Sequence, residues 1–157
     1  MAIPVFVLNG PNLNLLGTRE PGIYGGKTLD DIKRECLAAG KRLGLDVDFR
    51  QTNIEGVLVD WVQEAGEKAG GIVLNPGGYT HTSVALHDAI RAIGKPVIEV
   101  HLSNIFAREP FRHHSYVSPV AAGLVCGLGP AGYVLALEAL KPLVAKSPGK
   151  RTRKKPA

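Results

Sequence analysis

At 157 residues, 45% hydrophobic and 21% charged, the chain has the composition of one globular domain with a sizeable core, not of a fibrous, disordered or membrane-spanning protein. Its formal charge of +5 does not mark a nucleic-acid surface, because six of the 19 basic residues lie beyond Ala145 and leave 13 against 14 acidic ones in the body. Two cysteines, Cys36 and Cys126, lack metal-site spacing and read as reduced, packed thiols of a cytoplasmic protein. Met1 leads directly into an apolar run, Ile3 to Leu8, read as a first strand and not as a signal peptide, since no basic region or cleavage site accompanies it. A long connection follows, from Asn9 to Gly26. Thr28 is placed to cap a helix, with Asp31 three residues on, an apolar stripe of Leu29, Ile32, Cys36, Ala39 and Leu43, and Gly44 at its end. The second strand, Leu45 to Gln51, alternates Leu45, Val47 and Phe49 with Asp46, Asp48 and Arg50, the pattern of an edge strand with one wet face. Asn53 is the expected cap of a second helix that carries Val57, Leu58, Trp61, Val62 and Ala65 inward. Gly70 and Gly71 break it before a third strand, Ile72 to Asn75. A third helix begins near Thr82; its Leu86, Ala89, Ile90 and Ile93 face the sheet, so Asp88 points away, toward solvent or a neighbouring subunit. Pro96 to Leu102 is the fourth strand and Gly123 to Cys126 a short fifth. Gly127-Leu128-Gly129-Pro130 then leads into a last helix with Tyr133, Leu137, Leu140 and Val144 on one stripe and Pro142 fraying its end. Strands alternating with helix-period segments specify an α/β fold on a five-stranded parallel sheet. Residues 1–145 form a single domain, and Lys146 to Ala157 a basic tail expected to be disordered.

In an open parallel sheet, ligands bind outside the carboxyl ends of the strands, and here the segments at those ends carry the unusual residues. Glu99 and His101 interrupt the apolar fourth strand and project to the same side of it. The carboxylate holds the imidazole and favours its protonated form, which suits either a structural ion pair or a buried general acid. The loop after the first strand offers Arg19 and Tyr24 among Gly22, Gly25 and Gly26. An arginine near a phenol favours the phenolate, but lowering a phenol by about three units to act at neutral pH asks roughly 4 kcal/mol of its surroundings. Arg108 and Arg112, after the fourth strand, are placed to converge on the same cleft; a surface tyrosine and a solvated arginine are the plain alternative. After the third strand, Asn75 and His81 flank Gly77 and Gly78, an amide and an imidazole suited to the hydroxyls of a polyol. The glycines match neither a Walker loop nor a dinucleotide fingerprint. Backbone amides at Leu102 and Ser103 suit a carboxylate, and the adjacent His113 and His114 lack a third ligand at metal spacing.

Four segments, Leu8-Asn9-Gly10-Pro11-Asn12-Leu13-Asn14-Leu15-Leu16-Gly17, Asn75-Pro76-Gly77-Gly78-Tyr79-Thr80-His81-Thr82-Ser83, Glu99-Val100-His101-Leu102-Ser103-Asn104 and Phe111-Arg112-His113-His114-Ser115-Tyr116, resemble type II 3-dehydroquinate dehydratase over about residues 3 to 145. The resemblance implies a flavodoxin-like three-layer fold, assembly as a dodecamer built from trimers, and dehydration of 3-dehydroquinate to 3-dehydroshikimate by anti elimination through an enolate, with no cofactor and no metal. It implies Tyr24 as base and His101 as acid, Arg19 and Arg108 as activators of the phenolate, Asn12 as holder of the enolate through water, and Glu99 as the partner that orients His101. Asn75, His81, Leu102, Ser103 and Arg112 would bind substrate, and Asp88 would reach a neighbouring subunit's site. Such an enzyme serves the shikimate pathway or quinate breakdown, and needs no nucleic acid or membrane. The chain departs from the family's habit at Ile54, often polar, and at Phe106, within a variable stretch; both are expected to tune packing. A flavodoxin-like ligand-binding module without catalysis is the rival reading, and the role of the tail is open.

Overall fold

Short runs rich in Val, Ile and Leu become the strands, and their residues alternate between two buried faces. In the computed structural model, which describes residues 1–18, 20–24 and 26–146 apart from the side chains of Pro21 and Tyr24, β1 (Ile3–Asn9), β2 (Leu45–Gln51), β3 (Gly71–Asn75), β4 (Val97–His101) and β5 (Gly123–Cys126) form one parallel sheet. Their order is β2-β1-β3-β4-β5, the flavodoxin-like winding. The helices are α1 (Pro21–Tyr24), a single turn, α2 (Leu29–Leu43), α3 (Glu55–Lys68), α4 (Val84–Ile93) and α5 (Ala131–Val144). One core joins Val5, Val7, Val73, Ile98 and Val100 to α2 and α5; the other joins Phe6, Leu8, Ile72, Leu74 and Val97 to α3 and α4. The two-residue period of each strand thus feeds two helical layers, and each fully buried Leu or Ile adds about 1.5–3 kcal/mol of transfer free energy. Among the described residues no helix is long and apolar enough to cross a membrane.

Local signals explain the element ends. Thr28 and Asp31 form a reciprocal capping box on α2, with Gly44 at its C-cap. The expected cap at Asn53 is not made: Ile54 is the N-cap residue of α3 and carries no side-chain cap, because the Asn53 side chain is drawn to the loop after β1. α4 starts two residues later than expected, with Ser83 Oγ accepting from the Leu86 amide at 3.0 Å. Pro142 does not end α5, which continues to Val144. β2 is an edge strand as read, but its polar face is not simply wet. Arg50 reaches Glu64 of α3 at 2.6 Å and Asp48 at 2.7 Å, with its guanidinium 4.4 Å from the centre of the Phe6 ring. Both cysteines are free; Cys36 is buried, which pushes its thiol up to about 12, whereas Cys126 is only half-buried. Of the predicted tail, Lys146 to Ala157, residues 147–157 lie outside the described residues.

Candidate active site

The ends of β1, β3 and β4 enclose a cleft of about 280 Å³. Its floor exists because two loops touch without side chains between them. A Cβ on Gly10 would stand 2.4 Å from the Pro76 carbonyl oxygen, and Gly77, at φ +58°, lies against Pro11. Asn12 adopts the left-handed conformation at φ 67°, which asparagine tolerates. Its amide donates to Asn53 Oδ1 at 3.0 Å, Gln51 Nε2 donates to the same oxygen at 3.1 Å and to the Gly10 carbonyl at 3.2 Å, and Tyr79 Oη donates to the Asn53 carbonyl at 2.6 Å. Gln51, Asn53 and Tyr79 thereby moor the cleft's first wall.

Asn75, 2% exposed at the end of β3, reaches the cleft with its amide already fixed. Its Oδ1 accepts from the Gly77 amide at 3.1 Å, and its Nδ2 donates to Tyr133 Oη at 2.8 Å. That hydroxyl in turn donates to Asn9 Oδ1 at 2.7 Å. Tyr133 is wholly buried on α5, and burial pushes its phenol well above the ordinary value. The apolar stripe therefore contains a polar link that helical spacing does not reveal.

On the α4 side of the sheet, Glu99 Oε2 accepts from His101 Nε2 at 2.5 Å. Glu99 is fully buried. Burial alone would raise its carboxyl, but hydrogen bonds from His101, Ser118 and Thr80 and the His101 charge outweigh it and set the carboxyl below its ordinary value. His101 lines the cleft and stacks on His81, the ring centres 6.4 Å apart. His81 Nδ1 donates to the His114 carbonyl at 2.7 Å, and burial foremost lowers its pKa, so it presents a neutral Nε2 acceptor. Arg112 Nε pairs with Glu109 at 2.6 Å, and Arg108 Nη1 donates to Ser103 Oγ at 3.3 Å. Arg108 and Arg112 both line this end of the cleft and bring positive charge to it, which suits an anionic ligand. His113 and His114 diverge: one ring packs on Phe106 and the other on Tyr116. Among the described residues no three His, Cys, Asp or Glu side chains come together as a metal set.

Residues 3–141 match the family model for class II dehydroquinase. This chain belongs to the class II dehydroquinase family. It is 67% identical over 141 residues to the 3-dehydroquinate dehydratase 1 of Agrobacterium fabrum (strain C58), covering 90% of this chain and 97% of that one. It is 70% identical over 141 residues to the 3-dehydroquinate dehydratase of Chelativorans sp. (strain BNC1), with 89% and 97% covered. The crystal structure of the type II dehydroquinase from Propionibacterium acnes superposes with a TM-score of 0.87 at 46% identity, over 90% of this chain and 98% of that one. Membership of an enzyme family decides against the non-catalytic binding module. In this dehydroquinase, Asn12, Asn75, His81, His101, Leu102, Arg108 and Arg112 line one cleft, with Glu99 directly behind His101. Ser103 is joined to it through Arg108. Asp88 is exposed on the outer face of α4 and does not line its own chain's cleft. Arg19 and the Tyr24 side chain lie outside the described residues. Sequence reading passed over Tyr133, Gln51, Tyr79, Thr80 and Ser118; a tyrosine on an apolar stripe, whose hydroxyl needs a partner once buried, was the one available signal.

Proposed function

We propose that this class II dehydroquinase converts 3-dehydroquinate to 3-dehydroshikimate by anti elimination of water, with Tyr24 and His101 working from opposite sides of the ring. The Tyr24 phenolate, activated by Arg19 and Arg108, removes a proton from the carbon beside the carbonyl, and Asn12 holds the enolate through a water. His101 has Nε2 engaged by Glu99, so its Nδ1 gives the proton with which the hydroxyl departs as water. Asn75 and the neutral His81 acceptor bind ring hydroxyls, while Arg112 and the amides at Leu102 and Ser103 bind the carboxylate. The chain assembles as a dodecamer built from four trimers in the cytoplasm, Asp88 reaching a neighbour's cleft, in keeping with its exposure away from the sheet. The observation that carries the reading is the buried Glu99–His101 pair opening into a cleft with two arginines at its rim. The test is turnover of 3-dehydroquinate by the purified chain after exhaustive chelation, followed as rising ultraviolet absorbance of the conjugated enone acid. Full activity after chelation is expected, and a flat trace overturns the reading.

A further inference from the structure

Glu99 is the one acidic side chain among the described residues that is completely shut from solvent, and its only ion-pair partner there is His101. A carboxylate has about four acceptor positions. In this site they are filled almost entirely by hydroxyls. Thr80 Oγ1 donates to Oε2 at 2.8 Å, beside the His101 contact, and Ser118 Oγ donates to Oε1 on the far side. Ser115 Oγ lies 3.1 and 3.2 Å from the two oxygens, but it also accepts from the Val117 and Ser118 amides and so builds the turn that delivers Ser118. The hydroxyls come from two separate loops: Thr80 from the turn after β3, and Ser115 and Ser118 from the long segment between β4 and β5. Tyr116 N donates to the Thr80 carbonyl at 2.8 Å and locks those loops together.

We propose that Thr80 and Ser118 are positioning residues that clamp the Glu99 carboxylate by opposite oxygens, fixing Oε2 against His101 and keeping Glu99 anionic while His101 gives up its proton. This rests on His101 as the acid. During turnover the imidazolium becomes neutral, and Glu99 then loses the only positive charge paired with it. Donors that carry no titratable proton near neutrality stay in place through that change, whereas a water or a cation would have to rearrange. Without the clamp, the buried carboxylate relieves its desolvation by drawing the Nε2 proton to itself, and His101 ceases to be an imidazolium. Among the described residues, the other titratable groups that feel the Glu99 charge are His81, from the turn after β3, and the Cys126 thiol at the end of β5.

The test compares Ser118→Ala and Thr80→Val with wild type in steady-state pH profiles, with melting temperature measured on each. Removing a donor raises the proton affinity of Glu99, so activity is lost earlier as pH falls. Each variant is expected to lower kcat about tenfold and to move the acidic limb upward by about one pH unit, with KM nearly unchanged. Ser118→Thr, which keeps the hydroxyl, restores the wild-type limb. A wild-type limb and kcat in the folded Ser118→Ala variant overturns the clamp. So does a loss that is uniform at every pH and tracks the melting temperature, the mark of a merely structural role. His101→Ala and Glu99→Gln are run alongside: near-normal turnover in these removes the acid and the clamp together, whereas loss in these with none in Ser118→Ala and Thr80→Val removes the clamp alone.

Discussion

Tyr133→Phe removes one oxygen atom from the centre of the molecule and tests whether the α5 stripe is more than apolar packing. The wild-type hydroxyl is wholly buried, accepts from Asn75 at 2.8 Å and donates to Asn9 at 2.7 Å. The ring stays, so no sizeable cavity opens and the transfer term is small. What remains is a fully buried Asn9 oxygen and, on Asn75 beside the cleft, an N–H stripped of its partner. Each lost hydrogen bond is worth about 1 kcal/mol, and each unsatisfied group raises that toward about 1–3 kcal/mol. The sum over the two groups is about 2–6 kcal/mol, a large part of a typical stability of about 5–15 kcal/mol. In urea titrations at one fixed protein concentration, the midpoint falls while the slope is unchanged, and the melting temperature drops by about 5–25 °C. Because the Asn75 amide is then held only through Oδ1, KM for dehydroquinate rises more than kcat falls. A destabilisation under about 0.5 kcal/mol at constant slope refutes the argument that this hydroxyl is the hub of a satisfied network.

Tyr24→Phe is expected to lose most of its turnover while binding substrate as before, checked by kcat against the Kd of a competitive ligand. Asp88→Ala is expected to weaken assembly or raise KM, read from analytical ultracentrifugation and kinetics together; an unchanged oligomer with an unchanged KM discards its role across subunits. Gly10→Ala forces a Cβ to 2.4 Å from the Pro76 oxygen, so the β1 and β3 loops must part. Activity is expected to fall at least tenfold, with a loss of stability of about 1–3 kcal/mol in denaturant.

Much of this protein is local in origin. The capping box Thr28–Asp31, the alternation along β1 and the helix-period stripes depend on neighbours within a few residues, and periodicity places them. The Glu99–His101 pair is legible for the same reason, being two positions apart on one strand. The parallel sheet follows from the αβ repeats and the edge position of β2 from its charges, whereas the flavodoxin-like winding was implied only by the family resemblance and is seen in the structure as the order β2-β1-β3-β4-β5. Other features join residues far apart in the chain. Tyr133 meets Asn9 across 124 positions, Asn53 meets Asn12 across 41, and Ser118 meets Glu99 across 19. Asn53 shows how the local rule fails: it looks like a cap for α3, yet its side chain gains more by closing the loop that carries Asn12. A buried polar atom takes whichever partner the packed layers bring within 3 Å, and spacing along the chain holds no record of that distance. The elements and the Glu99–His101 pair are properties of segments, whereas the clamp on Glu99 and the grip on Asn75 arise only when five strands and their loops are brought together, because only then does desolvation make each hydrogen bond obligatory.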